Sequence, residues 1–108
     1  MSKTNEITNN LTQAIIKMLS LYGYLAWRNN NAPIYDIRRK VYRSNNTLKG
    51  IADVLGLSPA GRFIAVEVKT GKDRQSKEQK EFQNDVIRRG GIYIVAHTVD
   101  DIMHLIEK

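Results

Sequence analysis

Two apolar runs, residues 50–57 and 62–69, are separated only by Ser58-Pro59-Ala60-Gly61, and this spacing constrains the chain more than any other feature. Runs of this length read as buried strands. A link so short fits a hairpin, so the pair is expected to be antiparallel. Both runs carry charge at the end far from the link. The first holds Asp53, in Gly50-Ile51-Ala52-Asp53, and the second holds Glu67 and Lys69, in Phe63-Ile64-Ala65-Val66-Glu67-Val68-Lys69. Charge in a buried strand is costly unless it is paired or bound to metal. Alternation along a strand puts Phe63, Ala65, Glu67 and Lys69 on one face and Ile64, Val66 and Val68 on the other.

Asp53 and Glu67 lie about equally far from the link, so a hairpin sets them side by side. Two close carboxylates repel, and one is driven to protonate unless a cation intervenes. A hard divalent cation with oxygen ligands, Mg2+ or Mn2+, removes the conflict. Lys69 beside them can orient or help deprotonate a water, or stabilise charge developing on a phosphate. Taken singly, a strand-end Asp is a turn former and a Glu-x-Lys is a solvated strand face. Taken together and in this order, the three point to a divalent-metal site that cuts nucleic acid.

The rest of the chain supplies a frame. Ile7, Leu11, Ala14, Ile15, Met18 and Tyr22 form one stripe at helical spacing, predicting a helix over 4–22 with Thr4 as N-cap and Gly23 as stop. Residues 24–28 are a short strand candidate, broken by Asn29-Asn30-Asn31-Ala32-Pro33. The segment 34–49 is either an exposed hairpin arm or a mobile loop, with a turn at Asn45-Asn46. Ser76 can cap a helix over 77–89, ended by Gly90-Gly91, with Gln79, Phe82 and Val86 on one stripe. Residues 92–96 form an apolar strand, and Thr98 with Asp101 resembles a capping box opening a last helix.

Composition narrows the partners. The length of 108 residues is that of one domain, and the net charge of +6 favours polyanions. Basic residues cluster at Arg38, Arg39, Lys40, Arg43 and Lys49, and again at Lys72, Arg74, Lys77 and Lys80, on either side of the acidic centre. There are no cysteines, which excludes a disulfide scaffold and a thiolate metal site and is compatible with a reducing cytosol. His97 and His104 are the only histidines, an arrangement unlike a zinc or His-metal nuclease. No apolar run approaches a membrane span, and the N-terminus lacks the layout of a secretory signal, so a cytoplasmic protein is expected. Tyr35 and Tyr42 are either stacking platforms for bases or packing residues.

The ordered set resembles the PD-(D/E)XK nuclease superfamily, and within it the small stand-alone VRR-NUC (virus-type replication-repair nuclease) family. The motifs are Gly50-Ile51-Ala52-Asp53, Glu67-Val68-Lys69-Thr70, Ser76-x-x-Gln79 and Gly90-Gly91, with an acid on the first helix. Ala52 stands where the superfamily name has Pro, a position that shapes backbone and does not ligate metal. The resemblance implies an α/β fold with a restriction-endonuclease-like αβββαβ core, a mixed central sheet flanked by helices. It implies metal ligation by Asp53, Glu67 and the Val68 carbonyl, with Lys69 as catalytic lysine and Gln79 as the family glutamine. Glu6 matches the family's first-helix acid near a metal-bound water; it is also placed as a first-turn acid meeting the helix dipole. Arg28 is either a clamp for the scissile phosphate or a surface charge. Phage or viral replication and DNA repair are the implied contexts.

Together these observations predict a Mg2+-dependent, structure-specific endodeoxyribonuclease acting on branched DNA, four-way (Holliday) junctions first. A junction offers two symmetric cuts, so a homodimer suits it. A flap or restriction-type nuclease on the same scaffold, or a non-catalytic DNA-binding module, are the competing expectations.

Overall fold

The computed structural model describes residues 3–29, 34–43 and 48–106. The elements follow in the order α1 (Lys3–Leu21), β1 (Leu25–Arg28), β2 (Ile34–Asp36), β3 (Val41–Arg43), β4 (Val54–Leu57), β5 (Phe63–Val68), α2 (Lys77–Arg88), β6 (Ile92–Ala96) and α3 (Asp100–Ile106). The main sheet has the order β1-β4-β5-β6, and β2 and β3 form a separate two-stranded ribbon. β4 pairs antiparallel with both β1 and β5, whereas β5 and β6 run parallel. The parallel step is possible because α2 carries the chain back across the sheet. The fold is thus a mixed sheet between helices, with the predicted helix–strand order.

Alternation divides the core into two layers. Val54, Ile64, Val66 and Val68 pack with Ile15 and Leu19 of α1 and Ile102 of α3. Ala52 and Ala65 pack on the other face with Phe82 and Val86 of α2. The predicted division of β5 into two faces is therefore the division between the helical layers. Glu67 belongs to the α2 face, buried at the end of that apolar layer.

Several boundaries depart from the expected ones. α1 begins at Lys3, so Thr4 lies within the helix instead of capping it. Gly23, at φ 85°, does end that helix, in a conformation that favours glycine. The segment 34–43 resolves as the hairpin arm, while Asn45-Asn46 lies outside the described residues.

The first apolar run is not strand throughout: the ladder starts at Val54, and residues 50–53 lead into it. Gly50 explains why. It has φ 77°, and a Cβ there would collide with the Glu78 carbonyl at the start of α2. Gly50→Ala combines that backbone clash with a disfavoured conformation, and is expected to destabilise the protein by about 3 kcal/mol. Urea denaturation measures this; a loss within error of zero would show that the 50–53 segment is free to shift.

Candidate active site

The register places the acids where the hairpin argument put them. Val54 pairs with Val66, so Asp53 lies beside the last residues of β5. Its carboxylate Oδ2 accepts a hydrogen bond from the Val68 N–H at 2.8 Å. Its backbone carbonyl accepts from the Asn29 N–H at 2.8 Å, just past the end of β1. Asp53 thus bridges its two flanking strands as well as supplying a charge.

Glu67 is the centre of the site. It is 2 % exposed, surrounded by the α2 layer of the core. Its Oε1 accepts from Gln79 Nε2 at 3.1 Å and lies 3.8 Å from Lys69 Nζ. Its Oε2 is buried with no hydrogen-bond partner. Burial first, and the neighbouring Asp53 second, push the Glu67 carboxyl up to about 8, against the downward pull of Lys69. The Lys69 ammonium stands at ion-pair rather than hydrogen-bond range of Glu67. The pull toward protonation wins because the anion has lost its water and gained only a loose partner.

Gln79 has two roles at once. Ser76 caps α2, its Oγ accepting from the Gln79 N–H at 3.1 Å, while Gln79 Oε1 accepts from the Ser76 N–H at 2.8 Å. This reciprocal capping box leaves the Gln79 amide nitrogen to donate to Glu67. One carboxamide thus both caps α2 and donates to Glu67.

Two contributors have no counterpart in the sequence motifs. Tyr93 of β6, paired with Ala65, interacts with the Glu67 carboxyl, and burial with Glu67's charge pushes its own phenol upward. Gln75 donates to Gln83 Oε1 at 2.9 Å and to the Tyr93 hydroxyl at 3.4 Å. Strand alternation goes only part of the way to Tyr93: in Ile92-Tyr93-Ile94-Val95-Ala96, Tyr93 and Val95 share a face. Only the parallel register shows that this face is the Glu67 face.

The remaining candidates are distributed around this centre. Arg28 is exposed, and its Nη2 donates to Asn9 Oδ1 of α1 at 2.7 Å. Its pairing with Val54 keeps it at the Asp53 end of the sheet. Glu6 is exposed on the first turn of α1, and the described residues show no cluster of three or more acidic or histidine side chains that would include it. Lys72 and Arg74 are exposed on the loop after β5. Lys49 and Lys77 line one concavity of about 330 Å³ beside α2. A larger one, of about 430 Å³, is lined by Leu48, Phe63, Phe82 and Val86 among others, and neither includes Asp53, Glu67 or Lys69. Arg38, Arg39, Lys40 and Arg43 are exposed on the β2–β3 arm.

The side chains fit a divalent cation. A buried carboxylate oxygen without a donor, beside a second carboxylate, is the arrangement a hard cation satisfies. Asp53 and Glu67 are the side-chain ligands such an ion would find, and the Val68 carbonyl follows Glu67 directly. Among the described residues no helix is long and apolar enough to cross a membrane.

Comparison with known proteins agrees with this geometry. No curated protein matches the chain. A solved structure described as a VRR_NUC domain is 20 % identical, with a TM-score of 0.63 over 93 % of this chain and 94 % of that one, a likeness of fold. The family model of the VRR-NUC domain matches residues 10–100, from the middle of α1 through β6 and so across Asp53, Glu67, Lys69 and Gln79. With the fold, the ordered motifs and a match across most of its length in agreement, the chain belongs to the VRR-NUC family of PD-(D/E)XK-type nucleases.

Proposed function

We propose that the protein is a Mg2+-dependent endodeoxyribonuclease that cuts branched DNA, four-way junctions first, as a cytoplasmic homodimer. The observation that carries the metal-dependent part is the partnerless, buried Glu67 Oε2 beside Asp53 and Lys69. Asp53, Glu67 and the Val68 carbonyl would hold the cation, with Mn2+ able to replace Mg2+. When bound, such an ion makes water a better nucleophile and neutralises phosphate charge. The Lys69 ammonium orients the attacking water and stabilises the charge that develops on the phosphate. Gln79 holds the Glu67 carboxylate in place through Oε1. Arg28, Lys49, Lys72, Arg74 and Lys77, with the cations of the arm, bind phosphates and position DNA without reading its sequence.

Dimerisation is supported by an uncovered apolar strip. Leu25 is 64 % exposed, Trp27 44 % and Leu57 37 %. Leu25 pairs with Leu57 and Trp27 with Leu55, so these side chains share the α2 face of the sheet at its β1 edge, where the strand has no further neighbour among the described residues. A second copy would cover strip and edge together.

Cleavage of linear, flap and four-way DNA with Mg2+ tests the substrate, with the four-way junction expected to be cut fastest. Preference for a flap or for linear duplex would replace the junction reading. Calorimetry with Mn2+ tests the site itself: the wild type is expected to bind and Asp53→Ala to lose at least about tenfold in affinity. Equal affinity in the two proteins would remove Asp53 from the metal site. A native mass of one chain would overturn the dimer.

A further inference from the structure

Ile37 is the most exposed large apolar side chain among the described residues, at 81 %. It stands at the tip of the β2–β3 arm, followed by Arg38, Arg39 and Lys40. Of residues 35–43 all but Asp36 are exposed, so the arm has little cover from the body. An isolated hairpin this short is marginal in water. This one is held by Asp36. Its Oδ1 accepts from the Arg38 and Arg39 N–H groups at 3.0 and 3.2 Å. Its carbonyl accepts from the Lys40 N–H at 2.8 Å, and its Oδ2 pairs with Arg43 at 3.4 Å and Arg39 at 4.0 Å. Tyr35 and Tyr42, cross-strand partners, meet edge to face with centroids 5.1 Å apart. Lys40 adopts φ 56°, where a glycine would be cheaper, so a cation occupies the strained position of the turn. The tip therefore has a set shape, and Ile37 stays in solvent.

Two partners could cover such a tip. A second arm would set Arg38, Arg39, Lys40 and Arg43 of one chain against the same residues of the other, with a single Asp36 on each side. DNA meets the cations with phosphates and the isoleucine with base faces. The arm is tethered to the Asp53 end of the sheet: Ile34 follows Arg28 by six residues, at most about 20 Å of chain.

We propose that the arm is a wedge: Ile37 inserts at a base step of branched DNA while Arg38, Arg39 and Lys40 hold the flanking phosphates. This rests on the nuclease reading above and adds how a branch is told from a duplex. Insertion requires unstacking, which costs least where stacking is already interrupted. An apolar tip thus converts branch geometry into binding energy without a base-specific contact.

The test uses a four-way junction with 2-aminopurine beside the crossover, titrated with metal-free protein in chelator. Wild type and Ile37→Leu are expected to raise its fluorescence on binding, and Ile37→Ser to bind without the rise. In Mg2+, the preference of Ile37→Ser for junction over linear duplex should fall about tenfold or more, while its linear-duplex affinity is unchanged. The side chain is exposed, so the fold is not at risk. Unstacking by Ile37→Ser equal to wild type would overturn the wedge, as would a drop in native mass, which would make the tip a contact between copies. Wild type that unstacks the junction but cuts no DNA would instead sink the nuclease reading and leave the wedge standing.

Discussion

Lys69→Met will bind branched DNA and fail to cut it, with single-turnover cleavage lower by a factor of about 1000. The substitution keeps the aliphatic stem, which is 13 % exposed, and removes only the ammonium facing Glu67. Affinity for DNA should change little, because the residues proposed to bind phosphates are elsewhere. Metal affinity should change as well, since Lys69 draws the Glu67 carboxyl downward and its ammonium also repels a bound cation. Gel-shift assays in chelator and single-turnover assays at saturating Mn2+ separate these effects. Cleavage at the wild-type rate under saturating metal would remove Lys69 from the chemistry.

Glu67→Gln will stabilise the metal-free protein at alkaline pH. Folding holds this carboxyl up to about 8, against 4.5 in an unstructured chain. Below the lower value both states carry the proton, and the contribution of Glu67 to stability is complete. Between the two values the unfolded chain releases the proton while the folded one retains it, so stability falls as pH rises. Above the higher value the contribution is gone and the buried anion remains. At pH 9 the amide should therefore be more stable than the acid by about 3 kcal/mol, or roughly 10–20 °C in melting temperature. Near pH 4 the two should converge. Urea denaturation in chelator across this range decides it, and parallel profiles would show that Glu67 is ionised in the folded state throughout. Added Mn2+ should restore the wild type and not the variant.

The parts of the site that were legible in the sequence are those whose geometry is local. The link 58–61 sets the register of β4 against β5, and hence the meeting of Asp53 with Glu67. The helical stripe Gln79-Phe82-Val86 aims Gln79 at the sheet before any tertiary contact is known. Tyr93 was not legible, because a tyrosine within an apolar run looks like core until a parallel strand pairing reveals its neighbour. The late start of β4 was hidden for the same reason: it depends on Gly50 meeting Glu78, across a stretch of sequence that no local pattern spans. The arm remained undecided between hairpin and loop because its stability comes from one side chain, Asp36, and not from an alternating pattern.

The capping box of α2 has an operational consequence. Gln79 cannot leave its place in the first helical turn without letting go of Glu67. Fraying of that one turn therefore releases Glu67 from Gln79. Helix ends open far more readily than cores. On heating, the contact between Gln79 and Glu67 is accordingly expected to be lost while the sheet is still intact.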